Sequence, residues 1–197
     1  GSFGIDLALG SVIDKKATAE EQLFLPKYIH SFFTNASFKD SEKPLVKNDT
    51  LIFEKQSETE SSNFLLSPLF IIGVISILII VITYFDYKNS KRSKWIDVLL
   101  FLFTGIIGII LLLLWFATDH TATAHNYNLL WAFALNIFMI GQVIKKRPKI
   151  WFKKYLKFLL IMLCLLTLHW FVGVQVYAVA LIPFLIALSI RYSYLIT

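Results

Sequence analysis

The sequence predicts an α-helical polytopic membrane protein with about five transmembrane helices, N-out and C-in, and a partial α+β segment at its N-terminus. Three observations carry this. Of 197 residues, 57% are hydrophobic, and most of them fall after Asn63 in five long runs. Lys and Arg gather in alternate connections between those runs, and the five tryptophans sit at run ends.

The runs are Phe64–Phe85, Ile96–Ala117, Asn128–Ile144, Leu156–Val172 and Val176–Ile190. Each is long enough, or nearly so, for a helix crossing a hydrocarbon core of about 30 Å. Helices are the economical choice because each satisfies its own backbone hydrogen bonds in lipid. None of the runs has a polar face at helical spacing, which argues against a soluble core. The last run is the shortest. Pro183 is expected to kink it, and Tyr192-Ser193-Tyr194 to extend it. Gly105 and Gly108 are expected to permit close helix approach, and Asn136, mid-helix, to make an interhelical hydrogen bond. Cys164, alone of its kind, reads as a small packing residue and not as a nucleophile.

Orientation follows from the connections. Asp86–Lys94 and Lys145–Lys154 are basic, while Thr118–Tyr127 and Gly173–Gln175 carry no Lys or Arg. The positive-inside rule puts both basic connections in the cytoplasm and residues 1–63 outside. Trp95 and Trp151 then fall at the inner boundary, with Trp115, Trp131 and Trp170 at the outer one, where amphipathic rings prefer to lie. The formal charge of +6 divides unevenly: residues 1–63 carry −3 and the remainder +9. Because the positive charge lies almost wholly in short cytoplasmic connections, it reads as topology and contact with anionic membrane lipids. No nucleic-acid partner and no cofactor are expected.

Residues 1–63 read as part of a folded extracytoplasmic domain with a tether, ahead of a transmembrane domain over residues 64–197. Phe3, Ile5, Leu7 and Leu9 alternate as in a strand. Thr18-Ala19-Glu20-Glu21 has the capping-box pattern, and Pro26 opens a short amphipathic helix through Phe33. Leu45–Lys55 reads as a hairpin around Lys47-Asn48-Asp49, and Gln56–Asn63 as a polar tether. His30 reads as a surface histidine. About 55 ordered residues bury too little core to stand alone comfortably. No charged-then-apolar leader precedes Phe3, so the chain is expected to be a piece of a longer protein.

Candidate site residues cluster on the outer face: Asp119, His120, His125, Asn126, Asn128, Trp131 and His169. Polar groups held at a bilayer boundary are costly, which makes them the first place to seek function. His125, Asn128 and Trp131 share one face at helical spacing. Three readings stay open. The groups cap helix ends and anchor them at the interface. Alternatively they handle a lipid or substrate headgroup, with histidine moving protons and Asp119 fixing a tautomer. Or they ligate a metal, although no histidine pair at i, i+4 anchors such a site.

Gly4-Ile5-Asp6-Leu7-Ala8-Leu9-Gly10, Asp14-Lys15-Lys16-Ala17-Thr18 and Phe24-Leu25-Pro26 resemble the end of the periplasmic domain of bacterial Lnb-type lipoprotein N-acyltransferases. Trp115-Phe116-Ala117-Thr118-Asp119-His120, followed by Asn126-Tyr127-Asn128-Leu129-Leu130-Trp131, resembles the same family's transmembrane domain. The resemblance implies a bacterial inner-membrane acyltransferase with a periplasmic N-terminal segment. Such an enzyme moves a fatty acyl chain onto the N-terminal cysteine amine of a lipoprotein. It implies lipoprotein and membrane-lipid partners, and a nucleophile in an upstream catalytic part of the same protein. Asp6 and Asp14 would belong to that domain's framework. The alternative is a non-catalytic membrane anchor or complex subunit that docks a periplasmic partner.

Overall fold

A computed structural model describes residues 2–39, 42–53, 63–146 and 148–197. Two compact units emerge: one comprises Lys15–Ser61, the other Gly1–Asp14 together with Ser62–Thr197. Among the described residues every regular element is helical, and extended pairing is confined to one antiparallel bridge, Ser37 with Pro44. The expected α+β character of the N-terminal segment is thereby corrected.

The first helix, α1 (Ser2–Ala8), occupies the stretch whose alternation predicts a strand. Phe3 and Leu7 are also one helical turn apart. That spacing wins because it sets both against the buried core, leaving Ile5 outside.

The Lys15–Ser61 unit contains α2 (Ala19–Gln22) and α3 (Pro26–Thr34). The capping box forms as expected: Thr18 Oγ1 accepts from Glu21 N at 3.2 Å, and Glu21 Oε2 accepts from Thr18 N at 2.7 Å. Pro26 stands in the first turn of α3, where its missing N–H costs nothing. His30 is exposed, as expected, and its Nε2 lies 2.9 Å from Asp49 Oδ2. Leu45–Phe53 forms no strand. The pairing around Ser37 and Pro44 ends after Leu45 N donates to Ala36 O at 2.7 Å, and the following residues are mostly exposed. The end of the expected hairpin, and all of the expected tether except Asn63, lie outside the described residues.

In the larger unit, α4 (Pro68–Lys88), α5 (Lys94–Phe116) and α7 (Ile150–Val172) are long and apolar enough to cross a membrane, as is the span Val179–Ile196. That span is a 3-10 turn followed by α8 (Ile182–Ile196). Ser67 caps α4 through a 3.2 Å bond from Phe70 N. Gly173, at φ 79°, closes α7: its N–H and that of Val174 return to the carbonyls of Trp170 and His169. Pro183 does not kink the last helix. It lies in the first turn of α8 and starts it, and the helix runs through Tyr192-Ser193-Tyr194 to Ile196.

The third apolar run departs from the expected continuous helix. It is broken into a 3-10 turn, Tyr127–Leu130, an irregular stretch, and α6 (Asn136–Val143). Eight residues rise only about 12 Å, too short to cross a bilayer. The break has a packing cause. A Cβ added to Gly108 would run into Ala132 O and Ala134 N, and one added to Gly105 into the backbone at Ile137. Non-helical backbone therefore lies directly on α5. Irregular backbone at membrane depth is tolerable only when buried in protein, and Ala132 and Ala134 are buried. Asn136 ties the assembly, donating to Thr104 Oγ1 of α5 at 2.8 Å and accepting from Tyr155 of α7. Cys164 lies on the outward face of α7, not in the core.

Candidate lipid groove and its polar mouth

One end of the bundle carries His120, His125 and His169; the other carries the basic connections. At the histidine end the 3-10 turn Tyr127–Leu130 packs on both α5 and α7. Its neighbours form a buried amide network. Asn126 Oδ1 caps that turn by accepting from Asn128 N at 3.0 Å. Asn128 Oδ1 accepts from Trp131 Nε1 at 2.9 Å. The amide groups of Asn126 and Asn128 both donate to Leu7 O, at 2.8 and 3.2 Å. Gln175 completes the set, accepting from Tyr127 N at 2.8 Å and donating to Leu9 O at 3.3 Å. All four side chains are at most 2% exposed.

Residues 7–14 are thereby seated on the bundle. Gly10 N donates to Ala122 O at 2.9 Å and Ser11 N to His125 O at 3.1 Å. Only glycine fits at position 10, because a Cβ there would overlap Ala124 O. Asp14 Oδ2 accepts from Val176 N at 2.7 Å.

The candidate residues thus divide. Asn126, Asn128 and Trp131 come together in one network whose partners are main-chain carbonyls of residues 7–9. Asp119 and His120 stand exposed. His125, at φ 54°, is exposed, with its ring 5.2 Å from that of Trp115. His169 lies 5.0 Å from the Tyr127 ring and its Nδ1 is 2.8 Å from Leu165 O. Among the described residues no three His, Cys, Asp or Glu side chains group closely enough to hold a metal ion.

Below the network lies a groove of ≈ 660 Å³. It opens because α4 packs on α8 while α5 packs on α6, which leaves a gap between α4 and α5. Ile79 and Ile82 line one wall, Leu99 and Phe103 the other, and Trp131 and Phe184 the back. Phe3 and Leu7 of α1 close it at the histidine end, and Trp95 marks its far end. Its lining is almost wholly apolar, so it suits a hydrocarbon chain and offers nothing to a charged ligand.

At the basic end, charges are buried. The guanidinium of Arg191, 0% exposed, donates from Nε to Asp97 Oδ1 at 2.6 Å and from Nη1 to Asp86 Oδ2 at 2.7 Å. Arg92 Nε donates to the other oxygen of Asp97 at 2.7 Å, and Ser93 donates twice to Asp86. Sequence reasoning missed this cluster and also Gln175. A signal existed for the first: Arg191 directly follows the last apolar run and is the lone Lys or Arg after Lys157, and Asp86 and Asp97 flank one connection.

Residues 58–197, well over half of the chain, match the model of a five-helix family described as the Lnb transmembrane domain. No curated protein and no solved structure matches the chain.

Proposed function

The chain belongs to the Lnb transmembrane-domain family, and from that premise we propose that it is the membrane part of a lipoprotein N-acyltransferase. It sits in a bacterial inner membrane with the histidine end periplasmic. The groove between α4 and α5 takes the acyl chain from the side, through its lipid-facing opening. The reacting carbonyl lies at the closed end, beside Leu7 and Trp131 and under the amide network. The nucleophile is supplied from outside these residues, since Cys164 lies near mid-helix on α7. Attack by the acceptor amine requires loss of its proton, and His125 and His169, at the same end, are placed to take it.

The observation that carries this reading is the coincidence of an apolar groove of ≈ 660 Å³ with a polar mouth directly above it. Binding sites for small apolar ligands commonly fall between about 300 and 1,000 Å³. The test is to fill the groove. Leu99→Trp in the full-length protein is expected to lower lipoprotein N-acylation and to favour shorter acyl chains, at normal protein levels in the membrane. Unchanged acylation with unchanged chain length would refute the proposal.

One observation favours the alternative, a bare anchor: Asn126, Asn128 and Gln175 are all engaged in gripping residues 7–9, as an anchor would require. Replacing residues 64–197 by an unrelated transmembrane helix discriminates. A folded, exported but inactive chimera supports the acyl-chain groove, and a fully active one supports the anchor.

A further inference from the structure

The short helix α1 is bonded to the bundle at one end only. Its last carbonyls lack partners within the helix, as at any helix C-terminus, and the bundle supplies donors for this end. Asn126 and Asn128 donate to Leu7 O, and Gln175 donates to Leu9 O. Gly10 follows at once, pressed against Ala124 O, and the N–H groups of Gly10 and Ser11 are taken by Ala122 O and His125 O. Among the described residues, no hydrogen bond joins Phe3–Asp6 to the bundle. Phe3 and Leu7 hold that part of α1 through their contact with the groove. Both are only half-buried, and Gly4, Ile5 and Asp6 between them are exposed.

These two side chains stand at the histidine end of the groove, between its interior and the groups outside. Firm bonds at one end of a helix and a small apolar contact at the other let it lift at far lower cost than unfolding. Asn128 is bonded on both sides of the closure. Its Nδ2 donates to Leu7 O on α1, and its Oδ1 accepts from Nε1 of Trp131, which lines the groove. One amide thus joins the helix to the wall that the helix covers.

We propose that α1 is a lid over the histidine end of the groove, hinged at Leu9–Gly10 and latched by Asn128. On the acyl-groove reading, on which this rests, lifting the lid admits the reacting carbonyl to the groups at that end. Reseating it shuts water out of the groove. Residues 10–14 stay seated throughout, because their bonds to Ala122 O, His125 O and Val176 N do not involve α1.

The test uses the full-length protein in nanodiscs, carrying Cys164→Ala and Leu181→Cys. Leu181 is 2% exposed and lines the groove. A charged maleimide cannot come through lipid, so it reaches position 181 only when α1 lifts; mass spectrometry of that peptide reads the labelling rate. Slow labelling is expected while the lid is latched. Asn128→Ala and, separately, Phe3→Ala are each expected to speed it about ten-fold at a parent-like melting temperature. Phe3→Ala leaves the amide network whole, so it decides the matter should Asn128→Ala fail to fold. In Phe3→Ala the amides of Gly10 and Ser11 should exchange as in the parent, since the seat holds while the lid opens. Labelling of the parent as fast as an exposed cysteine, or one unchanged rate in both variants, overturns the lid. Equal acceleration at position 181, Gly10 and Ser11 overturns the hinge, because the whole segment then detaches. Gated labelling in a protein that acylates no lipoprotein leaves the lid standing and refutes the acyltransferase reading.

Discussion

At the histidine end, Asn126, Asn128 and Gln175 direct neutral amides onto main-chain carbonyls; at the basic end, Arg191 directs a guanidinium onto Asp86 and Asp97. Both ends bury polar groups in an otherwise apolar bundle, yet the consequences of losing a partner differ. A neutral hydrogen bond contributes about 0.5–1.5 kcal/mol net, whereas stripping one partner from a buried ion pair costs about 3–5 kcal/mol. The basic end therefore works as a clamp joining α4, α5 and α8. The histidine end works as a dock that holds residues 7–14 through many individually modest bonds. The groove lies between clamp and dock, and α1 of the docked segment forms its closed end.

The clamp should show the largest effect when broken. Arg191→Met leaves Asp86 buried without a cation and Asp97 with Arg92 alone, and is expected to destabilise the bundle by about 3–5 kcal/mol. Thermal unfolding in detergent measures it. Adding Asp86→Leu and Asp97→Leu should recover much of that loss, because paired removal spares the desolvation cost. Arg191→Lys should rescue poorly, since one ammonium cannot replace a fork engaging two carboxylates. If Arg191→Met melted like the parent, the clamp would be unnecessary and the contrast would collapse.

Gly108→Val comes next. Its side chain would meet Ala132 and Ala134 backbone, and overpacking of this kind costs about 1–3 kcal/mol. The expected result is a lower melting temperature with faster amide exchange in residues 132–137. Unaltered exchange there would mean that the broken third run is not seated on α5.

Asn126→Ala probes the dock. It removes the bond to Leu7 O and the cap on Asn128 N, worth about 1 kcal/mol each. Because the dock opens locally, hydrogen exchange at Gly10 and Ser11 should accelerate while the global melting temperature stays close to the parent's. A global fall as large as that of Arg191→Met would erase the distinction between dock and clamp.

The smallest effect is expected in the Lys15–Ser61 unit. The backbone N–H and hydroxyl of Thr18 hold the Glu21 carboxyl below its ordinary value of 4.5. Its contribution is therefore complete above that value and fades as pH falls through the lower folded one. Helical chemical shifts of residues 19–22 should weaken on acidification, and Glu21→Gln, which removes the titrating carboxyl, should abolish that pH dependence.

The membrane spans were legible in the sequence because a helix in lipid depends on the chain's own composition. Twenty apolar residues make one with no help from elsewhere, as α4, α5 and α7 do. The capping box at Thr18 was legible for the same reason: donor and acceptor lie three residues apart. Part of the candidate site was visible too, since Asn128 and Trp131 share a helical face. What they bind was not. Their partner is the carbonyl of Leu7, a main-chain atom that leaves no mark in side-chain pattern.

By itself, then, the sequence determined that residues 64–197 are chiefly apolar helices with polar material gathered at two ends. Tertiary structure alone decided that residues 2–8 coil instead of extending, that the third run breaks over Gly105 and Gly108, and that Arg191 closes on two aspartates. These outcomes depend on groups remote in the chain: Asn136 lies 32 residues from Thr104, Arg191 94 from Asp97 and Asn126 119 from Leu7. Local pattern sets where a backbone can satisfy itself. Only the packed bundle settles which remote partner satisfies the polar groups left over, because a buried group without one is too costly to keep.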